Sequence, residues 1–239
     1  MNDLTCVGCG PGDPELLTIK AINAIKKADV IMCPTSKEGK DSIAYSIISK
    51  LVEEKKPEIV NLVFPMVKDK DILESTWEKN AEIIARAVRS GKNVVYLTVG
   101  DPSLYSTWIY LHKELKSKYS DVKINVIPGI VSMFAFASKV GISIAEGDET
   151  MAIIPACYDL TRVKETAKNC DTMIFLKDGR YFDQVIALLK EAGFPDESLF
   201  AIAQDVGTDQ EIVKKMTLGE VTKDTFTTKY FSIMVVKRA

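Results

Sequence analysis

The chain has 239 residues, 31 basic and 33 acidic side chains, a formal net charge of −2 and 46% apolar residues. That length suits one large domain or two small ones with a substantial core. Its balanced, dispersed charge carries no footprint of nucleic-acid binding, and no apolar run reaches the ~18 residues of a membrane span. The N-terminus runs straight into an apolar stretch without a basic region or cleavage site, so a cytoplasmic protein is expected.

In chain order, Leu4–Gly8 reads as a strand and Pro14–Ala28 as a helix, with Leu17, Ile19, Ala21, Ile22, Ala24 and Ile25 on its apolar side. A short strand, Asp29–Met32, is closed by Cys33-Pro34. Ser42 is placed to cap a helix over 42–54, and Ile59–Val63 is a third strand. A long amphipathic helix covers Lys70–Ser90 and stops at Gly91; a strand over Asn93–Thr98 and a helix over Tyr105–Tyr119 follow. The pattern restarts near Ser120-Asp121 with a strand, Lys123–Ile127, a Pro128-Gly129 turn and a helix over Ile130–Val140. Strands at Met151–Ile154, Thr172–Leu176 and Leu199–Gln204 alternate with helices at Thr161–Lys168 and Phe182–Ala192, and the tail from Lys229 to Val236 suits an antiparallel edge strand. This alternation predicts two α/β lobes, 1–120 with a mostly parallel sheet and 121–239 with a mixed one, and an active-site cleft between them.

Two glycine-proline turns stand out, Gly8-Cys9-Gly10-Pro11-Gly12-Asp13-Pro14 and Gly100-Asp101-Pro102-Ser103-Leu104-Tyr105. Each follows an apolar run and leads into helical spacing, which brings bare backbone to the edge of a parallel sheet where open α/β folds bind ligands. Asp13 occupies the position of the third glycine of a dinucleotide fingerprint, and no Gly-Lys-Ser or Gly-Lys-Thr follows, so neither a dinucleotide nor a phosphate loop fits. Pro11 removes a backbone donor and fixes φ, which suits a rigid wall better than a phosphate cradle.

Five scattered cysteines, Cys6, Cys9, Cys33, Cys157 and Cys170, argue against a disulfide framework. Cys6 and Cys9 form a C-x-x-C without a second pair, and the single histidine, His112, is distant in sequence, so no metal site is expected. His112 reads as a structural helix residue, and no serine stands in G-x-S-x-G. The inventory fits a reaction that needs proximity and orientation, such as methyl transfer from a sulfonium.

The run Val7-Gly8-Cys9-Gly10-Pro11-Gly12-Asp13-Pro14-Glu15-Leu16-Leu17-Thr18-Ile19-Lys20-Ala21 resembles the opening signature of the tetrapyrrole methylases, which use S-adenosylmethionine. The segment from Val99 to Leu111 resembles their second signature and Pro128-Gly129-Ile130 their third, so that the resemblance spans essentially the whole chain. The run Asp101 to Trp108 with Tyr110-Leu111, and Val63-Phe64-Pro65-Met66 before a Trp77-bearing helix, resemble the C20-methylating members of the corrin pathway. The alternatives are members acting at C4, C11, C17 or on uroporphyrinogen-III, a diphthine synthase, or a non-catalytic tetrapyrrole or nucleotide binder. The resemblance implies S-adenosylmethionine as methyl donor, a tetrapyrrole substrate, cobalt only as part of that substrate, and a homodimer. Carried over residue by residue, it implies that Pro11, Gly100, Asp101, Pro102, Tyr105, Val131, Ser132, Lys177 and Gly207 line the donor site. Lys37, Lys177 and Arg180 are candidates for the substrate's carboxylates and Tyr110 for its flat face, alongside Tyr105 and Trp108. Asp101 is the candidate base for the C20 proton, with shaping of the turn as its other role.

Overall fold

A computed structural model describes residues 3–155, 159–176, 181–206, 210–225 and 232–239. It divides into two compact units, Met1–Val131 and Ser132–Ala239.

The first unit runs β1 (Asp3–Gly8), α1 (Ile19–Lys27), β2 (Val30–Thr35), α2 (Ile43–Ile48), β3 (Glu58–Val63), α3 (Lys70–Arg89), β4 (Val94–Thr98), α4 (Trp108–Lys118) and β5 (Lys123–Ile127). Its five strands form one sheet in the order β3-β2-β4-β1-β5, with every pair parallel. The period-2 alternation of strands sorts their side chains between two helix layers. Leu4, Cys6, Val94 and Tyr96 pack with Ala81, Ile84 and Val88 of α3 and with Leu111 and Leu115 of α4. Val7, Val95 and Leu97 pack on the other side with Ala21 and Ile25 of α1 and with Ala44 and Ile47 of α2.

Local chemistry sets the element ends. Asp69 caps α3 by accepting from the amides of Asp71 and Ile72, and Gly91, at φ +83°, follows its C-cap. Ser42 caps α2 as expected, although that helix tightens into a 3₁₀ turn at Ser49–Val52. Thr18 caps α1, so the expected helix from Pro14 begins at Ile19, after a separate 3₁₀ turn at Pro14–Leu16 that Asp13 caps. Strand β2 continues through Pro34 to Thr35. The Val30 amide points to the β4 side, donating to Asn93 O, so by alternation Pro34 lacks its donor on that side, where pairing with β4 ends at Met32.

The structure departs from the sequence expectations at three further points. Strand β5 pairs with β1, so it completes the first sheet and the first unit reaches Val131 rather than residue 120. Helix α4 begins at Trp108, because Tyr105 sits at φ +50° outside the helical region. The helix after Pro128-Gly129 begins at Ser132 rather than Ile130.

The second unit runs α5 (Ser132–Val140), β6 (Met151–Ile154), α6 (Leu160–Ala167), β7 (Thr172–Leu176), α7 (Phe182–Glu191), β8 (Leu199–Gln204), β9 (Ile212–Thr217) and β10 (Ser232–Lys237). Its sheet, ordered β6-β7-β10-β8-β9, is mixed: β6 and β7 are parallel and the other pairs antiparallel. Val163 and Ala167 of α6 and Val185 and Leu189 of α7 pack on Met173, Phe175, Phe200, Ile202, Met234 and Val236. The terminal strand is therefore central rather than an edge, and it is buried from Ser232 to Val236. The two edges belong to β6 and to the antiparallel β9, a strand that the sequence did not signal. Among the described residues, no helix is long and apolar enough to cross a membrane.

Candidate functional site

The first sheet sends its loops to opposite layers at one point. From β1 the chain crosses β4 to reach β2, and from β4 it crosses β1 to reach β5. Neighbouring parallel strands whose connections diverge in this way leave a crevice at their C-terminal ends. The loops leaving β1, β4 and β5 all lie at that edge, and they are the three segments that the sequence reading singled out.

Backbone hydrogen bonds tie the first two loops together. The Cys9 amide donates to Thr98 O at 2.8 Å, the Gly10 amide to Gly100 O at 3.3 Å and the Gly100 amide to Gly10 O at 2.7 Å. Gly10 and Gly100 adopt φ of +73° and +70°, and a side chain on Gly100 would meet nothing within 4 Å, so the surface there is open. The third loop closes against both. A Cβ on Gly129 would stand 2.2 Å from Gly100 O and 2.7 Å from Gly8 C, so only glycine permits the approach.

Asp101 binds two of these loops through its two oxygens. Its Oδ1 accepts from the Ser103 amide at 2.8 Å and from the Ser103 hydroxyl, while Oδ2 accepts from the Gly129 amide at 2.9 Å. Burial pushes the Asp101 pKa up, but the bonds from the Ser103 hydroxyl, the Ser103 amide and the Gly129 amide outweigh it and hold the carboxyl below its ordinary 3.8. A carboxylate so occupied is suited to holding the loop. Ser103 and the Gly8–Gly129 contact were not among the expected site residues, although the Asp-x-Ser spacing signals the turn.

The other expected residues separate clearly. Pro11 is half-buried in the first loop, Pro102 is buried beneath the second, and Tyr105 stands 41% exposed at its end. Half-buried Val131 ends the first unit, and half-buried Ser132 opens α5 of the second. Lys37 is exposed in the loop after β2, at the same sheet edge. Tyr110, 43% exposed, stacks on Trp77 of α3 with ring centroids 4.3 Å apart and planes 4° from parallel. Trp108 is 3% exposed and belongs to the core, so it offers no face to a ligand. His112 stacks on Trp108 at 5.4 Å, and burial followed by the Lys116 charge lowers its pKa, in keeping with a structural residue. Lys177, Arg180, Gly207 and Cys157 lie outside the described residues. Cys6 and Cys9, three positions apart, pack in opposite helix layers, so the C-x-x-C does not act as a unit.

Residues 3–222 match the family model of the Tetrapyrrole (Corrin/Porphyrin) Methylases. A relative from Methanocaldococcus jannaschii, named "Probable cobalt-precorrin-2 C(20)-methyltransferase", is 36% identical over 97% of this chain and 94% of its own. The "Cobalt-precorrin-2 C(20)-methyltransferase" of Salmonella typhimurium is 28% identical over 80% of this chain and 78% of its own. The fold matches the crystal structure of uroporphyrin-III C-methyl transferase from Thermus thermophilus complexed with S-adenyl homocysteine, with TM-score 0.68, 19% identity and coverage of 98% of this chain and 97% of that one.

Proposed function

Since the chain belongs to the tetrapyrrole (corrin/porphyrin) methylase family, we propose that it transfers a methyl group from S-adenosylmethionine to C20 of a precorrin-2 tetrapyrrole that carries cobalt. The observation that carries the choice of acceptor is the 36% identity, maintained over 97% of the chain, to a relative with that name. The three-loop rim of the first unit supports the choice of donor. Its open, positive-φ glycine backbone and rigid Pro11 suit a compact ligand held through peptide groups, and Pro11, Gly100, Asp101, Tyr105 and Val131 would hold it, with buried Pro102 supporting the loop from beneath.

When bound, S-adenosylmethionine supplies a methyl group already activated by the sulfonium charge. The protein's own contribution is then alignment, which is worth several kcal/mol of barrier when reacting atoms are held in line. Gly10 and Gly100 present backbone, and Asp101 fixes the second loop against the third. In this reading Asp101 is a holding group, and the C20 proton leaves to solvent or to another base. Lys37, exposed at the same edge, is a candidate partner for a substrate carboxylate.

Incubation with cobalt-factor II or precorrin-2 and a labelled methyl donor, followed by mass spectrometry and NMR of the product, tests the proposal. One labelled methyl group at C20 is expected, with turnover greater on the cobalt form. A methyl group at any other ring position would refute the C20 assignment.

A further inference from the structure

Helix α4 starts in an unusual way. Thr107 occupies its N-cap position, where a threonine hydroxyl ordinarily accepts an amide of the first turn, yet it makes no such bond. Its Oγ1 instead lies 2.8 Å from the hydroxyl of Tyr96 in β4. The preceding residue repeats the arrangement: Ser106 Oγ lies 2.8 Å from Thr98 Oγ1, also in β4, and accepts from the Trp108 amide at 3.1 Å. Tyr96 and Thr98 are two positions apart and therefore point to the same side of the strand. The four hydroxyls form two parallel bolts between β4 and the end of the second loop, with Tyr96, Thr98 and Ser106 all buried.

Immediately before the bolts stands Tyr105, at φ +50° and 41% exposed. A left-handed backbone is disfavoured for a side chain of this kind, and it persists only where the surroundings fix it. Here the chain is fixed on both sides. Upstream, Asp101 holds Ser103 and Gly129; downstream, the bolts hold Ser106 and Thr107. The Ser106-Thr107-Trp108 run that marks the resemblance to C20-methylating enzymes thus faces inward.

We propose that Tyr96, Thr98, Ser106 and Thr107 are positioning residues for the methyl donor, latching the second loop to β4 so that Tyr105 and the Gly100 backbone hold the shape that binds it. The inference rests on the methyltransferase reading of the same loops. None of the four is a catalytic residue; they act through the loop.

Calorimetry with S-adenosylhomocysteine on Tyr96→Phe, Thr107→Val, Thr98→Val and Ser106→Ala, singly and within each pair, provides the test. Each single variant should weaken binding about fivefold or more, in line with the loss of one buried hydrogen bond. Within a pair the double variant should be no weaker than the worse single, and Thr107→Ser should restore wild-type affinity. A merely structural role would lower the melting temperature but leave the affinity of the folded protein unchanged, and that result would overturn the proposal. Additive losses within a pair would overturn it as well. Should Thr98→Val fail to fold, the Tyr96 and Thr107 arm carries the same test alone. Wild-type protein that binds no S-adenosylhomocysteine would defeat the methyltransferase reading itself, whereas normal wild-type binding with unaffected variants would defeat only this inference.

Discussion

Asp101 shows how a residue can be found in the sequence while its role is not. The Gly-Asp-Pro turn marked it as a site residue, but only the structure reveals that three donors occupy its two oxygens. Asparagine offers one acceptor oxygen, so Asp101→Asn must leave either the Gly129 amide or the Ser103 pair facing an N–H donor. Hydrogen bonds to a charged group are worth about 1.5–3 kcal/mol, so S-adenosylhomocysteine affinity should fall about tenfold or more, as calorimetry would show. If Asp101 acted as a base, turnover would collapse while that affinity stayed normal. The lowered pKa sets the pH dependence. A carboxylate whose folded pKa lies below its unfolded value contributes stability above the unfolded value, about 4, and loses it as pH falls through the folded value. Urea midpoints of wild type and Asp101→Asn should therefore differ at neutral pH and converge once the pH has fallen through the folded value. The two tyrosines and Trp108 illustrate the same limit, because helical spacing does not say which ring faces out, and Trp108 proved to be core.

At the scale of elements, the helices and the five strands of the first sheet were legible because their periodicities are strong. The ends were less so. Thr18 and Tyr105 each delay a helix, one through a cap and the other through a left-handed backbone, and apolar periodicity registers neither. Loop glycines were legible as turn formers but not as contact points. The structure separates two kinds. Gly129 has backbone in the way of any side chain, whereas Gly100 has open space and only a positive φ. Gly129→Ala should cost about 3 kcal/mol or more, through forced movement of packed backbone, and lower Tm by roughly 6 °C. Gly100→Ala should cost about 1–2 kcal/mol, the left-handed penalty alone, and lower Tm by roughly 2–4 °C. Thermal melts in which the two exchange rank would contradict this account of the rim.

For the whole molecule, the sequence conveyed two α/β units, one sheet parallel and one mixed, but misplaced the final strand and missed the strand that precedes it in the chain. Strand β9 reads Ile-Val-Lys-Lys-Met-Thr, and paired lysines obscure an alternation that suits an exposed edge. In β10 the run Ile-Met-Val-Val is the signal of a strand covered on both faces, and long-range pairing with β7 and β8 decides its position. The structure makes the C-terminus indispensable to its unit. Deleting residues 232–239 removes the strand between β7 and β8 and should abolish the protease protection of the second unit. A truncated protein as resistant to trypsin as the intact chain would rule out that arrangement.

The split of buried cysteines between the two helix layers of the first unit has a practical consequence. Cys6 lies under α3 and α4, while Cys9 and Cys33 lie under α1 and α2. Burial pushes the Cys6 thiol well above its ordinary range and the other two up to about 12, so all three are protonated and shielded at neutral pH. Each layer thus carries its own silent reporter. The order in which an alkylating reagent marks them during slow unfolding would record which blanket of helices lifts from the sheet first.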